Sequence, residues 1–375
     1  MRESLRQPGV EVGNIFIPLF FFAVIWGSVS TVARSAFGVE NFVAFQVPVA
    51  ILQAVAGAAS VSGIAMVTDI QRGYFDKLLL TPTSRWSIIT GRILADVIRG
   101  LGARVRTAPI EILDRDGGSF EARLREAVAD MDAALYVSGD EGDAQRGAAL
   151  VSTMESTGVR YLHATGLTPR ALSSTLRAHP QQLRATNERL AAVLGRGGEL
   201  TLRSPAGTDL RLRLDAKYPI VPYEGIPEAG KWESVPTGAV SVYPADASGT
   251  YVADRLLKAG ELVRWGRELQ RAPVTFHLER GRVVRTESAE PEVAEALEAR
   301  FAADGHASAI GFVSIATNPL CLNELRTFSN DALLPGLRLM FGYSDPKKTG
   351  APRSSPHWST VLGRRHDLQH EGTPI

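Results

Sequence analysis

The chain has 375 residues, which is enough for about two domains. Its 41 Lys and Arg residues nearly match its 40 Asp and Glu residues, and a formal net charge of +1 excludes the broad basic surface typical of nucleic-acid binding. Cys321 is the only cysteine in the sequence, which excludes a disulfide framework and a zinc site built on several cysteines.

Two long runs without charged residues occupy the first part of the chain, at residues 12–33 and 41–68. Each run exceeds the ~20 residues that a helix needs to cross a bilayer. We therefore expect two transmembrane α-helices, at about residues 13–33 and 42–68. The alternative is a pair of buried helices in a soluble protein, which rarely contains two adjacent charge-free runs of this length.

Basic residues flank these runs and predict the orientation of the chain. They are Arg2, Arg6, Arg72, Lys77, Arg85, Arg92 and Arg99. The positive-inside rule places both ends of the two-span segment in the cytoplasm, with a short external connection that holds Arg34 and Glu40. The sequence thus predicts a protein of the cell membrane with a cytoplasmic C-terminal domain.

A series of short motifs follows the second run. They are Asp69, Gly73, the turn Thr81-Pro82-Thr83-Ser84-Arg85 and the run Gly91-Arg92-Ile93-Leu94-Ala95-Asp96. In this order they resemble the permease subunits of ABC exporters of the drug-resistance type. The resemblance implies a six-span subunit whose cytoplasmic segment contacts an ABC ATPase. Here the pattern ends near Arg99, after two spans and the start of a third, so residues 1–100 form a truncated permease-like segment.

The sequence character changes at residue 101, and residues 101–198 are predicted to form an α/β layer. Phe120, Leu124 and Val128 follow one another at helical spacing. Short apolar runs predict strands at 133–138 and 159–163, and helices are predicted at 144–156, 168–178 and 181–194. Alternation of strands and helices is typical of a parallel sheet.

Residues 199–375 are predicted to form a β-rich domain. Alternating or β-rich runs predict strands at 199–203, 210–214, 239–243, 274–279 and 282–285, followed by one helix at 290–303 and by apolar runs at 310–319 and 337–343. The run at 347–356, with its Lys, Gly, Pro and Ser residues, predicts a disordered loop.

Five motifs of this region occur in a characteristic order. They are the SPAGTDL run from Ser204, Pro236-Thr237-Gly238, the ERGRVV run from Glu279, the IATNP run from Ile315, and His357-Trp358. Together they resemble the aminopeptidase T/S type of leucyl aminopeptidase and the related dihydroxypyridine ring-cleaving dioxygenases. The resemblance covers roughly residues 101–375 and implies an α/β domain followed by a β-rich domain that holds metal. For the aminopeptidases it implies a two-metal site that activates a water.

The metal ligands that the resemblance implies are mostly substituted in this chain. The four substituted positions are Ala239, Phe312, Arg338 and Ser359, where the family has carboxylates or a histidine. His357 matches a ligand position, and Tyr343 lies displaced from the expected tyrosine. Methyl and phenyl groups do not bind a divalent cation, and a guanidinium repels one.

A metal site formed by residues of the C-terminal tail, which are not the family's ligand positions, is a further alternative. His366, Asp367 and His370 are close in sequence, and a mononuclear iron(II) site takes two histidines and one carboxylate. The competing interpretation is a solvated tail. His163 similarly ends a predicted strand, where it either faces a ligand or fills a structural position.

Three hypotheses for the function follow. The first is a membrane-anchored chimera whose degenerate aminopeptidase-like domain binds a peptide or small molecule without a cofactor. The second is an active, metal-dependent aminopeptidase that uses a divalent metal on relocated ligands such as His357, Asp367 and His370. The third is a permease component that works with an ABC ATPase.

Overall fold

The structure is a computed structural model that describes residues 119–138, 144–352, 354–364 and 366–375, together with Phe20 and Val24. The chain divides into two units, residues 1–117 and 118–375, and the description below concerns the second. The two expected spans lie outside the described residues, apart from Phe20 and Val24. Within the ranges that the structure describes, no helix is long and apolar enough to cross a membrane.

The helices of the second unit are short to medium in length. In chain order they are α1 (Phe120–Val128), α2 (Ala144–Thr157), α3 (Pro169–Ser173), α4 (Pro180–Leu194), α5 (Gly266–Arg271), α6 (Pro291–Phe301), α7 (Phe328–Asp331) and α8 (Pro346–Thr349). Ser119 and Thr168 cap α1 and α3 by accepting hydrogen bonds from Ala122 N and Ala171 N. A single 3₁₀ turn, Thr175–Arg177, follows α3.

Strands make up most of the remainder. They are β1 (Ala133–Val137), β2 (Arg160–Ala164), β3 (Gly198–Arg203), β4 (Asp209–Leu214), β5 (Val221–Tyr223), β6 (Trp232–Ser234), β7 (Ala239–Val242), β8 (Asp246–Ala253), β9 (Leu256–Ala259), β10 (Leu262–Trp265), β11 (Val274–Glu279), β12 (Arg282–Ser288), β13 (Ile310–Ala316), β14 (Leu337–Phe341), β15 (Ser359–Leu362), β16 (Asp367–His370) and β17 (Thr373–Pro374).

The α/β layer contains a parallel sheet in the order β1-β2-β6. The sequence predicts β1, β2 and the parallel arrangement, but not β6. Trp232 of β6 pairs with Tyr161 of β2, so the third strand of this layer comes from the segment between β5 and β7. The α/β layer and the β-rich part therefore share one chain segment and are built together.

Two seven-stranded sheets pack face to face in the β-rich part. The β14 sheet has the order β10-β9-β15-β14-β13-β7-β5, and the β8 sheet has the order β12-β11-β8-β4-β3-β16-β17. The rings of Phe276 in β11 and Phe341 in β14 lie 5.5 Å apart, and Phe301 of α6 contacts both. The apolar face of each sheet is thus buried against the other, as in a β-sandwich.

A buried tyrosine also joins the two sheets. The Tyr251 hydroxyl of β8 donates to Leu337 O of β14 at 2.6 Å and accepts from Gly363 N at 2.7 Å. Because the buried hydroxyl has both a donor and an acceptor, it adds no unsatisfied polar group to the core.

The prediction of a disordered loop at 347–356 is wrong for the residues described there. Thr349 in α8 is 1% exposed and donates to the carbonyl oxygens of Ser344 and Asp345. Ser355 is 3% exposed and donates to Asp304. The run has the composition of a loop, but these tertiary contacts hold it against the sandwich.

The C-terminal residues also pack instead of forming a solvated tail. β16 pairs antiparallel with β3, so that His370 lies opposite Leu200 and Asp367 lies opposite Arg203. His370 is buried and its Nε2 atom is 2.7 Å from Gly197 O. Strand pairing therefore explains the fixed position of this histidine.

Candidate functional site

Two of the sequence motifs meet at the end of the β14 sheet. Thr317 N donates to Gly238 O at 2.8 Å, and Asn318 Nδ2 donates to Thr237 O at 2.7 Å. A side chain on Gly238 would meet the Asn318 backbone at 2.9 Å, and its φ of +113° favours glycine. The motifs thus hold β7 and β13 together where the candidate site begins.

The α/β layer docks against the same place. Asn318 Nδ2 also donates to Thr175 O at 3.1 Å, and Thr317 Oγ1 donates to Asn187 Oδ1 at 2.6 Å. Asn187 in turn donates to Tyr223 O at 3.1 Å. These buried hydrogen bonds fix the layer over one face of the β14 sheet.

Three of the four substituted ligand positions lie on that face. Their neighbours Val240, Val313 and Leu339 belong to the sandwich core. Since side chains alternate along a strand, Ala239, Phe312 and Arg338 lie on the opposite side of the sheet, which we call the Arg338 face. Three of the positions that the motifs single out therefore lie together on one face of the β14 sheet.

Ser359 is placed differently. It pairs with Phe341, and it lies on the same face of β15 as Val361, two residues further along the strand. Phe341 and Val361 both belong to the sandwich core. Its Oγ atom is buried and has no hydrogen-bond partner among the described residues. The structure therefore does not bring Ser359 to the Arg338 face.

Arg338 dominates the electrostatics of its face. Its guanidinium carbon lies 5.7 Å from the centre of the Phe312 ring, and its Nε atom is inaccessible and has no hydrogen-bond partner within the described chain. Burial lowers the pKa of Arg338 to about 10, while the electrostatic interaction with Tyr223 acts in the opposite direction. The guanidinium is therefore still protonated at neutral pH.

A buried charge without a counter-ion is energetically expensive. Removing one partner of a buried ion pair costs about 3–5 kcal/mol, because the remaining charge is uncompensated. No carboxylate of the described residues acts on the pKa of Arg338. The face therefore carries a fixed positive charge that favours an anion and disfavours a divalent metal ion.

Aromatic side chains surround the guanidinium. Tyr223 of β5 pairs with Ala239, and the rings of Phe312 and Tyr343 lie 6.3 Å apart in an edge-to-face contact. Burial raises the pKa of both Tyr223 and Tyr343. Both phenols are therefore neutral, and they offer hydroxyl groups and apolar ring surface beside Arg338.

Lys348 of α8 forms a second cationic position nearby. Its Nζ atom lies 4.0 Å from the centre of the Trp232 ring and 4.9 Å from that of Tyr223, and it donates to Trp232 O at 3.3 Å. Burial lowers the pKa of Lys348, and the charge of Glu233 opposes this effect. The ammonium is thus already held by two rings and a carbonyl oxygen.

Two half-buried or buried carboxyl groups border the same cluster. Burial raises the pKa of Glu233, which accepts hydrogen bonds from Glu224 N and Gly225 N, and it raises the pKa of Asp345. Both carboxyls also act on the pKa of Tyr223. The cluster therefore mixes cations, acids and aromatic rings within one packed region.

The predicted metal-ligating residues of the C-terminal region do not come together. His357 is exposed, while the His366 ring packs against Tyr251 with centroids 5.4 Å apart. Asp367 is exposed, and the buried His370 contacts Gly197 O. Nowhere in the described ranges do three or more His, Cys, Asp or Glu side chains form a group that could hold a metal ion. These donors do not fit the metal that the family resemblance implies.

Two surface cavities lie elsewhere. One of about 470 Å³ lies beside His370 and Arg196, and one of about 300 Å³ lies beside Gly281 and Gly342. Neither is lined by Arg338, Phe312 or Tyr223. We assign the candidate site to the Arg338 face because it combines an unpartnered guanidinium Nε atom with three of the family's ligand positions, and neither cavity is lined by any of these three residues.

Sequence reasoning identified Ala239, Phe312 and Arg338 by position, but it did not identify Tyr223, Trp232 or Lys348 as neighbours of the site. Tyr223 and Trp232 lie in strands of only three residues, which show no usable periodicity. Lys348 lies in the run that was expected to be disordered. In the sequence, Lys348 is marked only by a second lysine beside it and by the preceding proline, and this pattern predicts solvent exposure.

Comparison with known families supports both resemblances. Residues 1–104 match the sequence model of the ABC-2 type transporter family, and residues 148–312 match that of 2,5-dihydroxypyridine 5,6-dioxygenase. No curated protein matches the chain. The chain therefore joins a permease-like segment to a region that resembles this dioxygenase family, as the motifs predict.

Solved structures show the fold of the second region. The 2,5-dihydroxypyridine dioxygenase from Pseudomonas putida KT2440 is 18% identical with a TM-score of 0.52, over 69% of this chain and 77% of that one. AmpT from Thermus thermophilus is 16% identical with a TM-score of 0.52, over 72% of this chain and 82% of that one. These likenesses confirm the predicted α/β plus β-rich fold for the C-terminal region.

Proposed function

We propose that this chain is a membrane-anchored protein whose C-terminal region binds a peptide or small molecule without metal catalysis. The single observation that supports this most directly is Arg338, a half-buried side chain whose Nε atom has no hydrogen-bond partner among the described residues, at a position where the resemblance implies a metal ligand. Ala239 and Phe312 on the same face add a methyl and a phenyl group, which bind no cation. In this proposal residues 101–198 form the covering α/β layer and residues 199–375 the β-rich binding domain.

The proposal assigns the permease-like segment the role of an anchor. Its match to the ABC-2 type transporter family supports a location in the membrane and contact with an ABC ATPase. The distribution of basic residues supports a cytoplasmic position for the C-terminal region. Transport by this segment is the alternative function, and co-purification of a stoichiometric ATPase with active transport would favour it.

Metal content and hydrolysis together test the binding proposal. We expect the full chain, purified in detergent and dialysed mildly, to carry well under one equivalent of zinc, cobalt, manganese or iron by elemental mass spectrometry. We also expect no release of product from leucine p-nitroanilide when these metals are added back.

One or two equivalents of bound metal together with hydrolysis would overturn the proposal and establish the metallo-aminopeptidase instead. The Arg338→His variant provides a matched comparison, because it restores a potential ligand at one position only. We expect it to remain without metal, since Ala239 and Phe312 still supply no donor atoms.

A further inference from the structure

We infer that Arg338 supplies the fixed positive charge of the site and binds the carboxylate of a small, flat monoanion that packs against Tyr343. This inference rests on the proposed function, because it names the chemical class of the molecule that the site binds. A cation that belongs to the chain itself thus stands where related proteins are expected to hold a metal.

The first argument is the unused hydrogen-bonding capacity of Arg338. A guanidinium has five N–H donors in a fixed planar arrangement. Among the described residues, Arg338 forms no hydrogen bond or ion pair, and its contact is with the ring of Phe312. The side chain is only half-buried, so that part of the guanidinium remains accessible to a ligand.

The second argument concerns the type of anion. A planar guanidinium and a carboxylate match as a bidentate pair, with two parallel hydrogen bonds. Glu233 and Asp345 border the cluster, and their negative charge disfavours a dianion such as a phosphate monoester. The Lys348 ammonium lies against the rings of Trp232 and Tyr223, and its single charge balances only one of these two carboxylates. A monocarboxylate therefore fits the local charge best.

The third argument concerns the body of the ligand. The Phe312 ring is 5% exposed and lies between Arg338 and Tyr343, so the half-buried Tyr343 supplies the ring surface that a ligand on Arg338 can reach. Aromatic faces of this kind pack against flat apolar groups and gain additional energy from ring contacts. One cation near a half-buried ring favours a flat aromatic or unsaturated carboxylate.

Benzoate and benzamide provide a matched pair of probes that differ in charge but hardly in shape. We would measure their binding to the full chain in detergent by isothermal titration calorimetry. We expect benzoate to bind saturably and at least tenfold more tightly than benzamide. Partition into micelles affects the neutral probe more strongly than benzoate, so it cannot produce this order.

Variants then assign the binding to one residue. Arg338→Gln is expected to weaken benzoate binding at least tenfold, and Arg338→Lys is expected to weaken it less, because it keeps the charge but loses the bidentate geometry. Arg255→Gln is the matched control, since Arg255 is also half-buried with an unpartnered Nε atom but precedes β9 and lies outside the site. It should bind benzoate as the unmodified chain does.

Three outcomes would overturn the inference. They are equal affinity of benzoate and benzamide, unchanged benzoate binding in Arg338→Gln, and no saturable binding of benzoate. The comparison of the two probes needs no variant, so it decides the question even if Arg338→Gln does not fold. These outcomes leave the absence of metal and of hydrolysis untouched, whereas bound metal with hydrolysis would remove the proposed function itself.

Discussion

The surroundings of a single side chain determine its protonation state, and His163 is the clearest example outside the candidate site. Its Nδ1 atom lies 2.7 Å from the Tyr161 hydroxyl, and the Tyr136 ring packs beside it at 5.2 Å. Burial lowers the pKa of His163 to about 4 from its ordinary value of 6.5. A neutral imidazole whose Nδ1 atom accepts a hydrogen bond from the Tyr161 hydroxyl explains this short distance. The contact favours a structural role for His163.

We predict that His163 makes the second unit sensitive to acid. Because the folded pKa is lowered, the stabilisation is fully present above pH 6.5 and is lost as the pH falls toward 4. At ~1.4 kcal/mol per pKa unit, the loss amounts to up to about 3 kcal/mol. Thermal unfolding followed by tryptophan fluorescence at several pH values should show a steep fall in midpoint across this interval.

The His163→Gln variant checks this assignment. It should show a lower midpoint at pH 7, since the contact with Tyr161 is altered, but a shallower dependence on pH between 6.5 and 4. The exposed His179 provides the control, and His179→Gln should keep the slope of the unmodified chain. An unchanged slope in His163→Gln would show that another group titrates.

At the scale of elements, periodic strands were predictable and short or irregular ones were not. In β4, Leu210, Leu212 and Leu214 are buried and the residues between them are exposed. The alternation of leucines with polar residues in the sequence thus predicts correctly which side chains are buried. β6 has only three residues and pairs with β2 from a distant part of the chain, which a local pattern does not encode. Tertiary pairing creates this strand, and the same holds for β16.

The helix α8 illustrates how contacts override composition. Its run of Lys, Gly, Pro and Ser favours disorder, yet Lys348 reaches Trp232 in the α/β layer. We predict that Lys348→Met destabilises the second unit by about 1–2 kcal/mol, because a desolvated cation–π contact and a hydrogen bond are lost. Hydrogen exchange of the segment at 344–352 should then become faster.

The neighbouring lysine is the natural control for this experiment. Lys347 forms an ion pair with Glu155 at 2.7 Å, but its side chain is 76% exposed. Exposed pairs of this kind contribute little, so Lys347→Met should leave both the melting midpoint and the exchange rates nearly unchanged. Equal effects of the two substitutions would mean that Lys348 does not hold α8 in place.

At the scale of the whole molecule, the sequence predicted the two parts of the chain better than it predicted the site. The order of motifs was sufficient to relate residues 1–100 and roughly 101–375 to their families, whose models match residues 1–104 and 148–312. Motif positions also located Ala239, Phe312 and Arg338 on one face, but Ser359 faces the core instead. Tyr223 of β5, Trp232 of β6 and Lys348 of α8 form one cluster, and only the assembled fold shows that they lie close together.

The last prediction concerns the joining of the two parts. Residues 13–33 and 42–68 are each long enough to span a bilayer as a helix, so the full chain should remain in the membrane pellet after a wash with alkaline carbonate. A variant that lacks residues 1–104 should move to the supernatant, which shows that the permease-like segment provides the attachment. Protease added to intact spheroplasts should leave the C-terminal region uncleaved, because the flanking basic residues predict a cytoplasmic position for it. Release of the full chain by carbonate would contradict the two spans, and cleavage in intact spheroplasts would reverse the predicted orientation.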